Sequence, residues 1–118
     1  MDMKTLTIDV ASIASVKARM KAAVLGEGDA TPRFTFTSDE DLLRTLNANR
    51  WRLLKALAGA GPLGVRELAR RVDRDVKGVH TDANALVECG LIEKTESGAL
   101  LLPYERLHVE FDARAEAA

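Results

Sequence analysis

At 118 residues the chain is long enough for one domain with a modest core, and 47% hydrophobic and 30% charged residues are typical of globular proteins. No stretch of eighteen apolar residues predicts a membrane span, no signal peptide precedes the first strand-like segment, and one cysteine excludes an intrachain disulfide framework. These features predict a cytoplasmic protein, and the net charge of −1 gives no overall attraction to nucleic acid.

The charges are unevenly distributed along the chain. Residues 1–65 carry 9 basic and 7 acidic groups, residues 66–77 carry 5 and 3, and residues 78–118 carry 3 and 8. Basic density is therefore highest in residues 66–77, and the C-terminal third is acidic. Because affinity for DNA grows with the number of phosphates neutralised, a single copy would bind weakly and a dimer is expected.

Three segments alternate in the manner of strands, and one segment between the first two has the period of a helix. Residues 4–10, 33–37 and 107–111 each place apolar side chains on one face. Residues 11–25 carry an apolar helical stripe, and a glycine-rich loop follows. We expect the strands to form one small sheet backed by this helix, with an edge that pairs with a second chain. The predicted stripe is Ile13, Val16, Met20 and Val24.

Two short helices are predicted before residue 60. Ser38 and Asp41 resemble a capping box that begins a helix, and Asn49 is the predicted cap of the next. The glycines and proline of residues 59–62 end that second helix. The side chains expected to be buried by the two helices are Leu42, Leu43, Leu46, Trp51, Leu54, Leu57 and Ala58, with Leu53 flanking.

The next stretch is typical of a helix-turn-helix. Residues 65–72 form one helix, residues 73–75 form a polar turn in which Asp75 caps the next helix, and Gly90 closes that helix. Short apolar strands at 91–94 and 99–102 then flank a turn ending in Ser97 and Gly98, which indicates a β-hairpin. The expected inward stripe of the second helix is Val76, Val79, Ala83, Leu86 and Val87.

These elements predict an α+β protein with a winged helix-turn-helix, in which three helices precede a β-hairpin wing. Residues 1–37 form a strand-helix-strand arm expected to mediate dimerisation, and residues 38–104 form the winged helix. Residues 105–118 supply a C-terminal strand, which joins the sheet of the arm, and a polar tail expected to fray.

The second helix of the helix-turn-helix is the candidate DNA-reading element, because the first helix braces it and leaves its N-terminal part free to reach base edges. Basic side chains at that end could neutralise phosphates, and Lys77, Thr81 and Asn84 could read bases. The alternative is a helical hairpin in a protein-binding winged helix, with solvated charges and a partly buried His80. The predicted DNA-binding residues are Arg70, Arg71, Arg74, Lys77, Gly78, His80, Thr81, Asn84, Lys94 and Ser97.

No residue pattern predicts catalysis, a metal or a cofactor. The chain has two histidines and one cysteine and no acidic cluster at ligand spacing, and we predict that Cys89 and Trp51 are core residues. Nothing in the sequence resembles a nucleophile with its base, a phosphate loop or paired carboxylates. We therefore expect a protein that is not an enzyme.

A family resemblance covers roughly residues 32–111. The run Val-Arg-Glu-Leu-Ala-Arg-Arg-Val at 65–72, the motif Gly-Leu-Ile-Glu at 90–93 and the sequence Leu-Pro-Tyr at 102–104 resemble MarR-like prokaryotic winged-helix regulators. Within them, the chain is most similar to a small antitoxin-associated group of DNA-binding proteins. The resemblance implies a dimer that binds double-stranded operator DNA, regulates transcription of its own promoter and holds a cognate toxin. No membrane association is expected, because the sequence has no apolar run long enough for a span.

A second interpretation belongs to another functional class. The acidic C-terminal third would neutralise a basic protein partner, and the winged helix would be mainly structural. Failure to bind promoter DNA at low salt, while a protein partner still binds, would favour this interpretation.

Overall fold

Five helices and five strands are present in a computed structural model that describes residues 4–28, 31–113 and 115. Parts of the predicted arm, the glycine-rich loop and the frayed tail lie outside the described residues. In chain order the elements are β1 (Thr5–Val10), α1 (Ile13–Val24), β2 (Arg33–Phe36), α2 (Asp39–Thr45), α3 (Ala48–Leu57), α4 (Val65–Val72), α5 (Val76–Cys89), β3 (Glu93–Lys94), β4 (Leu100–Leu101) and β5 (Arg106–Glu110).

Local sequence signals set most helix ends. Ser38 caps α2 by accepting a hydrogen bond from the Asp41 backbone N–H, and Asp75 caps α5 in the same way. Gly90 ends α5 in the left-handed region at φ 93°. The predicted cap of α3 was wrong, because Asn47 rather than Asn49 accepts from the first turn. The shift of two residues places Asn49 inside the helix.

The three-stranded sheet has the order β2-β1-β5, and both pairings are parallel. This confirms that the three alternating segments form one sheet, with β1 in the centre. β3 and β4 form a separate antiparallel hairpin. A bridge from Leu63 to Leu100 adds the segment before α4 to this hairpin, through two backbone hydrogen bonds of 2.9 and 2.7 Å.

One hydrophobic core joins the sheet to α2–α5 and the hairpin. Leu6 and Ile8 of β1 enter it from the sheet, and Leu53, Leu54 and Leu57 enter it from α3. The other buried apolar members are Phe36, Leu42, Leu63, Leu68, Ala69, Val79, Ala83, Leu86, Leu91, Ile92, Leu100 and Leu102. Trp51 packs at the margin of this core and is only partly buried.

The structure corrects the predicted packing of α1. Three of the four residues in its apolar stripe are exposed, by 61% at Ile13, 64% at Met20 and 86% at Val24, and Val16 is partly buried. The sheet face that α1 touches is polar, so the contact runs through Arg19, which donates a hydrogen bond of 3.1 Å to Thr35. A polar face offers an apolar stripe no surface to pack on, and the stripe therefore remains in solvent.

Four further sequence expectations were wrong. Leu43 and Val76 were expected to be inward but are 58% and 40% exposed, and Cys89, expected in the core, is exposed. Its thiol donates to the Leu86 carbonyl at 3.3 Å. The face of β1 opposite the core was expected to be solvated, yet Asp9 on that face is 5% exposed. Neighbouring polar side chains rather than a second apolar layer cover it.

The α+β class is confirmed, whereas the count of three helices does not describe the chain. Five helices are present among the described residues, because α1 and α2 precede the three helices α3–α5. None of the helices in the described parts of the chain is both long and apolar enough to cross a membrane.

Candidate nucleic-acid interface

α4 and α5 are joined by a three-residue turn that the sequence specifies closely. Asp73 ends α4 in the left-handed conformation at φ 54°, which aspartate tolerates better than most residues. Two residues later, the Asp75 carboxylate accepts a 2.9 Å hydrogen bond from the Gly78 backbone N–H. Leu68 and Ala69 on α4 and Val79 on α5 are buried in the core. The turn and this packing fix the first turn of α5 relative to α4.

The solvent-facing side of α5 carries polar side chains that are partly engaged by the helix itself. The Thr81 hydroxyl donates to the Lys77 carbonyl at 3.1 Å, so only its oxygen lone pairs face outward. The Asn84 amide nitrogen lies 3.4 Å from Nδ1 of His80, one helical turn earlier. Lys77 is exposed, and no hydrogen bond or ion pair involves its side chain within the part of the chain that the structure describes.

A groove of about 260 Å³ separates α5 from the hairpin. His80 and Asn84 line it from α5, while Lys94 and Gly98 line it from the hairpin. The residues from the two elements are 10 to 18 positions apart in sequence, and only the packing of the hairpin against α5 brings them together. The groove therefore combines amide, imidazole and ammonium groups, all of which can donate hydrogen bonds.

The hairpin tip is tightly held. Thr95 accepts a hydrogen bond from the Ala99 backbone N–H at 3.1 Å, and its hydroxyl lies 3.0 Å from that of Ser97. Gly98 adopts φ 87°, which a side chain would strain. Ser97 is thus an exposed but locally bonded residue, and the tip presents it in a fixed position.

Arg70 and Arg71 share one carboxylate on α4. Arg70 donates to Glu67 through Nε at 3.0 Å and through Nη2, and Arg71 Nε donates to the same carboxylate at 3.0 Å. Hydrogen bonds from Arg70 and then Arg71 lower the pKa of Glu67, and Glu67 in turn raises the pKa of Arg70. The three side chains carry a net charge of +1, so a phosphate would compete with Glu67 for the guanidinium groups.

Arg74 has a different role from the one predicted. Its Nη1 atom is fully buried and lies 2.9 Å from Asp82 Oδ2, in an ionic contact without hydrogen-bond geometry. Arg50 of α3 donates to the other oxygen of Asp82 at 3.2 Å and to the Thr45 carbonyl at 3.4 Å. Asp82 therefore joins α3, α5 and the turn, and Arg74 is used internally rather than presented to a ligand.

The sequence contains a signal for the inward position of Asp82. Asp82 lies three residues after Val79 and four before Leu86, both of which are buried, so the helical period places its carboxylate on the inward side. An inward carboxylate needs a cationic partner. That partner could not be identified from spacing along one helix, since Arg50 lies 32 residues away.

The position of Arg74 explains why residue 78 is a glycine. A Cβ atom at residue 78 would lie 3.1 Å from Arg74 Nη2 and 3.1 Å from an oxygen of Asp75. Gly78 thus leaves space for the guanidinium group that crosses the first turn of α5, and it contributes no side chain to a ligand.

A second cluster of charges lies on the polar face of the three-stranded sheet. Asp9 receives hydrogen bonds from Arg33 and Thr35 and lies 3.3 Å from Arg19. Burial raises the pKa of Asp9, but the hydrogen bonds from Thr35 and Arg33 and the charges of Arg33 and Arg19 outweigh it and lower the pKa. These charges are mutually satisfied, so the cluster fastens α1 to the sheet.

The described residues include no group of three or more histidine, cysteine, aspartate or glutamate side chains that could hold a metal ion.

The comparisons with known proteins add one match. The HVO_A0114 family matches residues 45–109, which is more than half of the chain. The chain belongs to the HVO_A0114 family. The matched segment includes α3, α4, α5 and the hairpin, and it ends within β5. No curated protein and no solved structure matches the chain.

Of the ten predicted DNA-binding residues, the structure brings His80, Asn84 and Lys94 together at one groove. Arg70 and Arg71 are exposed but share Glu67, and Arg74 is withdrawn into the fold. The HVO_A0114 match does not test the MarR-like resemblance, which stays an expectation.

Proposed function

We propose that this HVO_A0114-family protein is a cytoplasmic DNA-binding transcriptional regulator that uses α3–α5 and the β3–β4 hairpin as a winged helix-turn-helix. It acts as a homodimer on double-stranded operator DNA. α5 is the recognition helix, and the hairpin is the wing. The observation that carries the proposal is the groove between α5 and the hairpin, because it places three hydrogen-bond donors from two separate elements on one surface.

The connectivity supports the winged-helix interpretation. α4 and α5 are separated by a three-residue turn, and the hairpin follows α5 directly. The Leu63–Leu100 bridge joins the segment before α4 to the hairpin and so ties the hairpin to the helices. A hairpin held in this way would approach the DNA backbone beside the groove that α5 enters.

The charges available for DNA are few, which limits the affinity of one copy. Lys77 and Lys94 are the exposed lysines at the site, and Arg70 and Arg71 add one net charge after Glu67 is counted. Each neutralised phosphate contributes about 0.9 to the slope of log affinity against log salt. A homodimer doubles the number of such contacts, which is why the proposal includes one.

The test is a salt titration of DNA binding by three variants. Lys77→Ala should weaken binding to all sequences and lower the salt slope by about 0.9 per copy, because one phosphate contact is lost. Asn84→Ala should relax base preference, since an amide can pair with adenine. Lys21→Ala in α1 is the control that removes an equal charge far from α5 in the sequence. If Lys77→Ala and Lys21→Ala gave the same affinity and slope, the proposal would be wrong.

The MarR-like resemblance extends this proposal to an antitoxin that represses its own promoter and binds a cognate toxin. The extension predicts that a neighbouring gene encodes a protein that co-purifies with this chain. Promoter DNA from the same operon should then be bound more tightly than unrelated DNA.

A second candidate function has its own support. Glu88 at the end of α5 and Glu93 and Glu96 on the hairpin are all exposed, so the two elements of the proposed DNA surface also carry negative charge. These carboxylates favour a protein-interaction module that binds a basic partner. Charge neutralisation by Glu93→Gln and Glu96→Gln would strengthen DNA binding under the first proposal and weaken partner binding under the second.

A further inference from the structure

β5 is an edge strand with an unpaired side. The sheet order β2-β1-β5 leaves one side of β5 without a strand among the described residues. The Arg106 backbone N–H donates to the Lys4 carbonyl of the chain segment that leads into β1. Because successive residues of a strand point their backbone groups to opposite sides, those of Leu107 and Val109 point away from β1. Such groups form a template for another strand.

We propose that β5 pairs antiparallel with β5 of a second copy, centred on His108, so that two three-stranded sheets join into one six-stranded sheet. This assignment rests on the homodimer of the proposed function and names its interface, although formation of the interface needs no DNA. In this register Leu107 of one copy and Val109 of the other form a hydrogen-bonded pair. The two-fold symmetry of the dimer repeats this pair, so the interface contains four backbone hydrogen bonds.

The side chains of β5 are complementary to themselves in this register. Arg106 and Glu110 lie two residues before and after His108, so each would face its opposite charge on the partner. Arg106 is exposed, and its side chain has no ion-pair partner in the described part of the chain. On the other face Leu107 would lie opposite Val109, and both are half-buried apolar residues.

An apolar hollow lies at the end of the same strand. Val109 and Phe111 line it together with Leu43, Leu46 and Trp51, and its volume is about 230 Å³. Phe111 is 38% exposed and Leu43 is 58% exposed, so apolar surface is in contact with water beside the unpaired edge. Pairing of β5 with its symmetry mate would bring the partner's apolar side chains to this hollow and remove that surface from water.

The opposite edge of the sheet is less suited to self-pairing. Arg33 is the one charged residue of β2, so a second copy of β2 would offer it no opposite charge. The exposed apolar stripe of α1 is also unsuited to contact with a second copy, because of the charges beside it. α1 carries Lys17, Arg19 and Lys21 and no acidic residue, so two copies of α1 would repel each other. β5 is thus the surface on which both charge and apolar pattern fit a second copy.

Disulfide cross-linking of the full chain tests the register. The native Cys89 is first replaced by serine. In the proposed dimer, His108→Cys places two cysteines in a non-hydrogen-bonded pair, where Cα atoms lie about 4.5 Å apart and a disulfide can form. Val109→Cys is the matched control, because its partner in this register is Leu107. We expect mild oxidation without DNA to cross-link the first variant at least tenfold more than the second.

Charge exchange tests the interface by sedimentation. Arg106→Glu should raise the dissociation constant of the dimer roughly thirtyfold, because two symmetric attractive pairs become repulsive. Adding Glu110→Arg should recover at least a third of that loss in log units. Recovery is incomplete because Glu110 also lies 3.1 Å from His108 and 3.7 Å from Arg33 in its own chain. Met20→Glu in α1 is the control and should leave the dimer unchanged.

Three results would overturn the proposal. The first is a wild-type mass of 12.8 kDa at every concentration. The second is that Val109→Cys forms the disulfide and His108→Cys does not. The third is that Met20→Glu abolishes the dimer and Arg106→Glu does not. Cross-linking through His108→Cys in a protein that binds no DNA would support the interface while counting against the proposed function.

Discussion

Replacement of Asp82 by asparagine should destabilise the protein by removing the charge that holds two arginines. Asp82 is 15% exposed at its side chain, and Arg50 and Arg74 are 23% and 21% exposed. Removal of one partner from a fully buried ion pair costs about 3–5 kcal/mol, and a hydrogen bond to a charged group contributes about 1.5–3 kcal/mol. Since all three groups keep some contact with water, we expect a loss of about 2 kcal/mol in the free energy of unfolding.

Thermal and urea denaturation followed by circular dichroism would measure this loss. For a chain of this size, 2 kcal/mol corresponds to a fall in Tm of roughly 8 °C. Glu88→Gln removes an equal charge from an exposed position of the same helix and should change the free energy by less than about 0.5 kcal/mol. Equal stabilities of Asp82→Asn and Glu88→Gln would refute the reasoning. Arg74→Gln should likewise lower stability while leaving the salt slope of DNA binding unchanged.

Three further changes test other parts of the structure. Asp9 should stabilise the fold above its unfolded pKa, near 4, because its folded pKa is lowered, and this contribution should be lost as the pH falls through the folded value. In Asp9→Asn the acid side of the stability profile should therefore flatten, and an unchanged profile would argue against a lowered pKa of Asp9 in the folded protein. Glu67→Gln should strengthen DNA binding several-fold and steepen its salt slope by up to about 0.9 per freed contact, as measured by fluorescence anisotropy. Gly90→Ala should lower the free energy of unfolding by about 1–2 kcal/mol, because φ 93° strains any residue with a Cβ atom. Equal urea midpoints for Gly90→Ala and the wild type would contradict this expectation.

Local signals in the sequence predicted the elements well. Alternation identified β1, β2 and β5, and the caps Ser38 and Asp75 marked the starts of α2 and α5. These signals succeed because strand pleating and the first turn of a helix depend on residues within a few positions of one another. The DNA-binding role of the basic residues between Arg70 and Lys77 stays a prediction, and Arg70 and Arg71 already share Glu67.

Several features that were predicted wrongly or not predicted at all depend on partners distant in sequence. Asp9 and Asp82 are charged residues at covered positions, and each is held by arginines from other elements. A pattern assigns such residues to the solvent because it cannot show which cation will face them. The same limitation explains Arg74, which counts as a basic residue in the sequence but is neutralised in the structure. It also explains α1, whose stripe requires an apolar surface that the monomer does not provide.

The segment matched by the family contains both proposed surfaces, which are the groove between α5 and the hairpin and most of the outer edge of β5. Residues 45–109 include α3–α5, the hairpin and most of β5, whereas β1, α1 and β2 lie outside the match. Within the matched segment β5 has no strand partner, because its pairing strand β1 belongs to the arm. The arm therefore covers one side of β5 and leaves the other side for a second copy. Under the two proposals, the contact between copies is made by the same segment that carries α5, and a rigid six-stranded sheet would fix the spacing of the two α5 helices. Half-sites on one face of DNA repeat about every 34 Å, so a cross-linked His108→Cys dimer should bind paired half-sites at one spacing and lose affinity when five base pairs are inserted between them.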